Sequence, residues 1–229
     1  MNTPLYIRKI RERKLNIMDK NKTERNKFDV HILTESALCV ALASVLSLIK
    51  IYEAPFGGAV TLLSMAPIIV LGLRRGNAVG LAGGFVFSVI QLVLGLNNIG
   101  WVPDLSGKAL CVLFDYIIPF TVLGLGGMFR NVRLSKNDRT NAVLTALLGT
   151  LAVTLLRFAC HVVSGVVIWY SLDLGWYSDD PTHIVNRYPV ALFSLIYNGW
   201  FMVPEIIETL VGVPLIHSAI SKVRSGAKK

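Results

Sequence analysis

The sequence predicts an all-α membrane protein, a bundle of six transmembrane helices with both chain ends in the cytoplasm. Three observations carry that expectation. Only 16% of the 229 residues are charged, against about 25% in an ordinary soluble domain. Mean hydropathy is +0.58, and the charges gather at the two ends and in a few short breaks. The basic residues also sort to one side of the membrane when the chain is threaded six times with its N-terminus inside.

A membrane-crossing helix needs about 20 mostly apolar residues. Such runs lie at roughly 31–50, 59–73, 77–96, 107–129, 141–170 and 190–216. The second is the shortest. The breaks carry turn chemistry: APFGG, RRGN, NNIGWVPDLSG, RNVRLSKNDRT and SLDLGWYSDDPTHIVNRYP. Of the 23 Lys and Arg residues, 19 fall inside. These are nine in residues 1–30, then Arg74, Arg75, Arg130, Arg133, Lys136, Arg139, Lys222, Arg224, Lys228 and Lys229. The outer breaks are acidic, with Glu53, Asp104, Asp173, Asp179 and Asp180. Five or seven passes would put a basic end outside. The chain therefore reads as a basic cytoplasmic tail (1–30), a six-helix domain (31–216) and a short basic tail (217–229).

Several function classes are excluded. The run IRKIRERK lies ahead of an apolar body, so it reads as a topology-fixing tail that touches anionic lipid rather than nucleic acid. Cys39, Cys111 and Cys160 sit singly in apolar stretches, as small hydrophobes, with no disulfide or zinc spacing. There is no phosphate loop, so ATP hydrolysis is not expected of this chain. No metal, cofactor or nucleophile motif appears.

Ionisable and polar groups at membrane depth are functional candidates by default. Asp115 lies in CVLFDYIIPF beside Tyr116, as a counter-ion for a cation, a proton site, or half of a salt bridge with Lys108 or Arg157. Arg157 and His161 are four apart and share a helix face, which Ser164 and Gly165 continue toward Trp169. Ser194 and Asn198 are one turn apart in the sixth run, with Phe193, Tyr197 and Trp200 around them. Glu205 and Glu208 follow toward the cytoplasm and fit pairing with a basic loop or a partner subunit. Together the outer halves of runs four to six suit a small, flat, positively charged molecule, reached from the first and fifth loops. A carboxylate supplies charge, aromatic rings supply stacking, and Asn and His supply hydrogen bonds. Helix–helix hydrogen bonding is the competing reading of His161, Ser194 and Asn198. In the first run, Ala37 and Ala41 lie one turn apart, as small residues that admit a close helix partner.

The stretches LTESALCVALA, PFGGAVTLLSMAPIIVLGLRRG, LFDYIIPF, LLRFACHVVSGVVIW and FSLIYNGWFMVPE, in this order, resemble the ThiT family. These are thiamine-specific substrate-binding subunits (S components) of energy-coupling factor transporters. The resemblance covers roughly residues 28–216. It implies a thiamine site at Asp115, Tyr116, His161, Gly165, Trp169, Phe193, Ser194 and Asn198. Asp115 stands where members often carry Glu, and Phe193 where some carry Tyr. Where some members place a Trp and a Glu around the start of helix two, this chain reads GGAVTLL. The resemblance also implies a bacterial cell-membrane location and docking through Ala37 and Ala41. The partners would be one transmembrane coupling subunit and two ATPase subunits. A stand-alone proton-coupled carrier of thiamine, a precursor or another vitamin is the alternative. An intramembrane enzyme built on His161 would lack a visible nucleophile or metal.

Overall fold

A computed structural model of the chain describes residues 30–55 and 57–226. Helix α1 (Val30–Ser47) leads into a two-stranded hairpin, β1 (Lys50–Glu53) and β2 (Ala59–Thr61). Then come α2 (Ala66–Arg75), α3 (Asn77–Leu94) and the short α4 (Leu96–Gly100). The long helices α5 (Leu105–Phe129) and α6 (Asp138–Tyr177) follow. After α7 (Ile184–Arg187), α8 (Val190–Gly226) ends the described chain. Among the described residues, α1, α3, α5, α6 and α8 are long and apolar enough to cross a membrane. The expected tail of residues 1–30 lies outside the description except for Val30, and the second expected tail is mostly a continuation of α8.

The second pass departs from its expectation. A helix over 59–73 was expected, but residues 59–61 form β2 and helix begins only at Ala66. Ten helical residues span about 15 Å, half of an apolar bilayer core. Eight of them, Ala66 to Leu73, are buried, so this pass is enclosed by protein rather than lipid. That enclosure is what permits strand and turn at membrane depth. The end of the first expected run, from Lys50, likewise lies in the hairpin.

The hairpin is antiparallel, pairing Tyr52 with Val60 and Glu53 with Ala59, and it turns through Gly57 at φ 96°. Beyond β2, Leu63 adopts φ 56°, a left-handed conformation that costs a branched side chain energy. Two contacts hold it there. The Leu63 amide donates to Glu208 of α8 at 2.9 Å, and the leucine side chain fills the space left by the absent side chain of Gly212.

The basic residues cluster at one end of the bundle. Arg74 and Arg75, ending α2, both pair with Glu35 near the start of α1. The Arg130 guanidinium lies over Gly76. So α2 returns to the level at which α1 began, which satisfies the charge sorting read from the sequence. At the opposite end, Asp104 caps α5 by accepting from the Gly107 amide at 2.7 Å. That bond and the Ser106 hydroxyl hold its carboxyl below the usual carboxylate range.

The basic half is packed main chain against main chain. A Cβ at Gly124 of α5 would collide with the Gly80 carbonyl of α3, and one at Gly80 would collide with Gly124 and Gly72. Gly127 abuts Gly72, and Gly149 of α6 abuts Gly126, in the same way. Gly124→Ala is therefore expected to destabilise the fold by about 1–3 kcal/mol, the usual cost of overpacking. A lower thermal unfolding midpoint in detergent would register it, and an unchanged midpoint would contradict the seam.

Candidate functional site

Two π-helical turns bring the polar side chains together. Residues Val112–Ile117 in α5 and Gly165–Trp169 in α6 are π-helical, and they carry Asp115, Tyr116 and Trp169. Pro119 accounts for the first, because it lacks an N–H for the Asp115 carbonyl and its ring crowds that carbonyl. In the second, Gly165 lets α8 approach so closely that a Cβ there would strike Ser194 and Asn198.

These turns face a cavity of about 220 Å³. Its walls come from the end of α1 (Ser47, Leu48), the hairpin (Lys50, Gly57, Gly58, Ala59, Thr61), the end of α3 (Gln91, Leu94, Gly95) and Asn98. Deeper, it is lined by Asp115, Tyr116, Phe120, Arg157, His161, Trp169, Tyr197, Asn198 and Phe201. It lies at the end of the bundle remote from the basic cluster.

The Asp115 carboxylate is the centre of the wall. It accepts from Ser164 Oγ at 2.5 Å, Trp169 Nε1 at 2.9 Å and Cys111 Sγ at 3.4 Å, and it meets His161 Nδ1 at 3.1 Å. Both carboxylate oxygens are thereby engaged from within the bundle, by donors on α5 and α6. Cys111, read from sequence as a small hydrophobe, thus also serves the carboxylate. Tyr116 donates to the Gly95 carbonyl at 3.1 Å, tying α5 to the end of α3.

Of the eight site residues expected from sequence, the cavity gathers Asp115, Tyr116, His161, Trp169 and Asn198. Gly165, Phe193 and Ser194 lie behind its wall. Ser194 donates to the Val162 carbonyl at 2.8 Å, and Asn198 donates to the His161 and Ser194 carbonyls, so both also bind α8 to α6. Phe193 is fully buried, edge-on to Tyr170 and stacked behind Tyr197. Trp200 points away, 68% exposed. Expected access from the first loop agrees with the hairpin lining, whereas the fifth loop supplies none of the lining residues. Sequence reasoning missed Gln91, Asn98, Phe120, Phe201 and the hairpin. Only the Gln91–Asn98 cluster of amides at the end of an apolar run offered a signal.

Arg157 does not pair with Asp115. Its guanidinium donates to Glu205 of α8 at 3.1 Å, and both groups are buried. Glu205 also accepts from the Thr61 amide at 2.7 Å and the Thr61 hydroxyl at 2.6 Å. Glu205 and Glu208, expected to meet a basic loop or another subunit, thus hold the end of β2 and the chain that follows it.

A family model described as "Thiamine transporter protein" matches residues 33–225. The chain belongs to the thiamine transporter protein family. A thiamine transporter ThiT of Bacillus subtilis is 30% identical over 180 residues, covering 76% of this chain and 84% of that one. Another ThiT, from Lacticaseibacillus paracasei, is 27% identical over 189 residues, covering 81% and 86%. A solved structure of ThiT from Listeria monocytogenes superposes with a TM-score of 0.64 at 21% identity, covering 85% of this chain and 97% of that chain. It shows the same fold. The protein is thus a multi-pass bacterial membrane protein of this family, as the sequence resemblance implied.

Proposed function

We propose that this chain binds thiamine in the cavity from the outer face and serves as the substrate-binding subunit of an energy-coupling factor importer. One observation carries the reading: a carboxylate, Asp115, hydrogen-bonded on both oxygens and set in a cavity walled by the aromatic side chains of Trp169, Tyr197 and Phe201. Thiamine is a monocation with two flat rings. A carboxylate offsets its thiazolium charge, aromatic faces stack on its rings, and the Asn198 amide suits an aminopyrimidine edge.

Transport then needs an external energy source. Ala37 and Ala41 are both exposed on α1, which buries Val40 and Ala43 on its other side. That small-residue face suits close docking on a coupling subunit, with two ATPase subunits driving inward release.

Titrating thiamine into the purified chain tests the binding step, and saturable one-to-one binding is expected. Trp169→Phe removes the indole N–H donated to Asp115 while keeping a ring, and should cost about 1.5–3 kcal/mol, or about 10- to 150-fold in Kd. Unaltered affinity would remove Trp169 from the site. In liposomes, uptake by this chain alone under a proton gradient would overturn the subunit reading in favour of a stand-alone carrier.

A further inference from the structure

Beside Asp115, in the deep part of the cavity, runs a second ionic layer. Arg157 Nε donates to His161 Nε2 at 3.3 Å, its terminal nitrogen donates to Glu205, and its guanidinium carbon lies 4.5 Å above the Phe120 ring. Arginine has no acceptor. His161 Nε2 must therefore present its lone pair, which leaves the single imidazole proton on Nδ1, facing Asp115. His161 is held as the neutral tautomer that donates to the carboxylate. It cannot become a second cation without breaking its bond to Arg157.

The charges of Asp115 and this layer can then be counted together. Asp115 and Glu205 are negative, Arg157 is positive and His161 is neutral. Asp115 and the layer together carry one net negative charge. Lys50, which lines the cavity from the hairpin, is matched by its own partner Glu53 at 2.5 Å. Without Glu205, the Arg157 cation would cancel Asp115 from the viewpoint of a ligand. Glu205 is itself 1% exposed and anchored by both groups of Thr61. It is fixed where it neutralises Arg157.

We infer that the buried Arg157–Glu205 pair sets the charge selectivity of the cavity, Arg157 fixing the His161 tautomer and Glu205 cancelling the Arg157 charge, so that the wall presents one negative charge to a monocation. Arg157 and Glu205 are positioning residues here. The inference rests on the thiamine reading above.

The test compares thiamine with a neutral isostere in which carbon replaces the thiazolium nitrogen. The readout is the ratio of the two affinities, which a purely structural role would leave unmoved. Glu205→Gln takes this total from one negative charge to none and should cut the preference for the cation about tenfold. Arg157→Gln takes it the other way and should preserve or raise that preference. The double variant Arg157→Gln/Glu205→Gln restores the wild-type count and should keep the ratio within about threefold. Singles that lower both affinities in parallel, with an unchanged ratio, would overturn the inference. If either single fails to fold, the double decides, since loss of cation preference there is equally fatal. Absence of thiamine binding by the wild-type chain would refute the functional reading instead.

Discussion

Asp115→Asn is expected to weaken thiamine binding by about 30- to 150-fold. The estimate corresponds to about 2–3 kcal/mol for removing the charged partner of a cation from a partly desolvated site. Two effects add. The substitution removes the charge proposed to face the thiazolium ring. It also replaces one acceptor oxygen with an NH₂ donor, although Ser164, Trp169, Cys111 and His161 all converge on this group. One of those donors then faces another donor. Calorimetric titration is the appropriate measurement, because the indole of Trp169 touches the mutated group and its fluorescence would change for that reason alone. Asp115→Glu keeps charge and acceptors and should bind much more tightly than the Asn variant. Equal affinities for wild type and Asn variant would mean that the carboxylate does not meet the ligand.

The second large effect is on stability. Arg157→Ala leaves Glu205 buried at 1% exposure with its counter-charge gone. Breaking a buried ion pair from one side typically costs about 3–5 kcal/mol. The unfolding midpoint in detergent should fall sharply, and the Thr61–Glu205 attachment should loosen with it. Removing both charges together, as in Arg157→Met/Glu205→Leu, should recover most of the loss, since no unpaired charge remains. If the double variant is as unstable as the single, the pair contributes shape rather than charge balance.

The boundaries legible in the sequence were those with a physical marker. Asp104 and Asn137 are capping residues, and α5 and α6 begin directly after them. The expected starts at 107 and 141 were late by two or three residues, because the first polar turn of each helix looks like loop. The hairpin was illegible for a different reason. Residues AVT are only three long, and no periodicity separates so short a strand from the start of a buried helix.

The site was legible where chemistry is costly and illegible where it is geometric. A membrane carboxylate announces itself, and Asp115, expected on that ground, lines the cavity. Ser194 and Gly165 have the spacing of cavity residues, but π-helical winding and the closeness of α6 and α8 turn them toward each other. The Arg157–Glu205–Thr61 chain joins residues 48 and 144 positions apart, and nothing local in the sequence ties them together.

The glycine seam has a mechanical consequence. Where α2, α3, α5 and α6 meet through Gly72, Gly80, Gly124, Gly126 and Gly149, main chain lies on main chain. Few side chains there can change rotamer to absorb a displacement, and close-packed interiors transmit strain rather than dissipate it. The basic half of the molecule is a stiff base. The cavity end, walled by a short hairpin and by side chains, is a compliant rim. A displacement imposed on the molecule is accordingly expected to be taken up at that rim before it reaches the base.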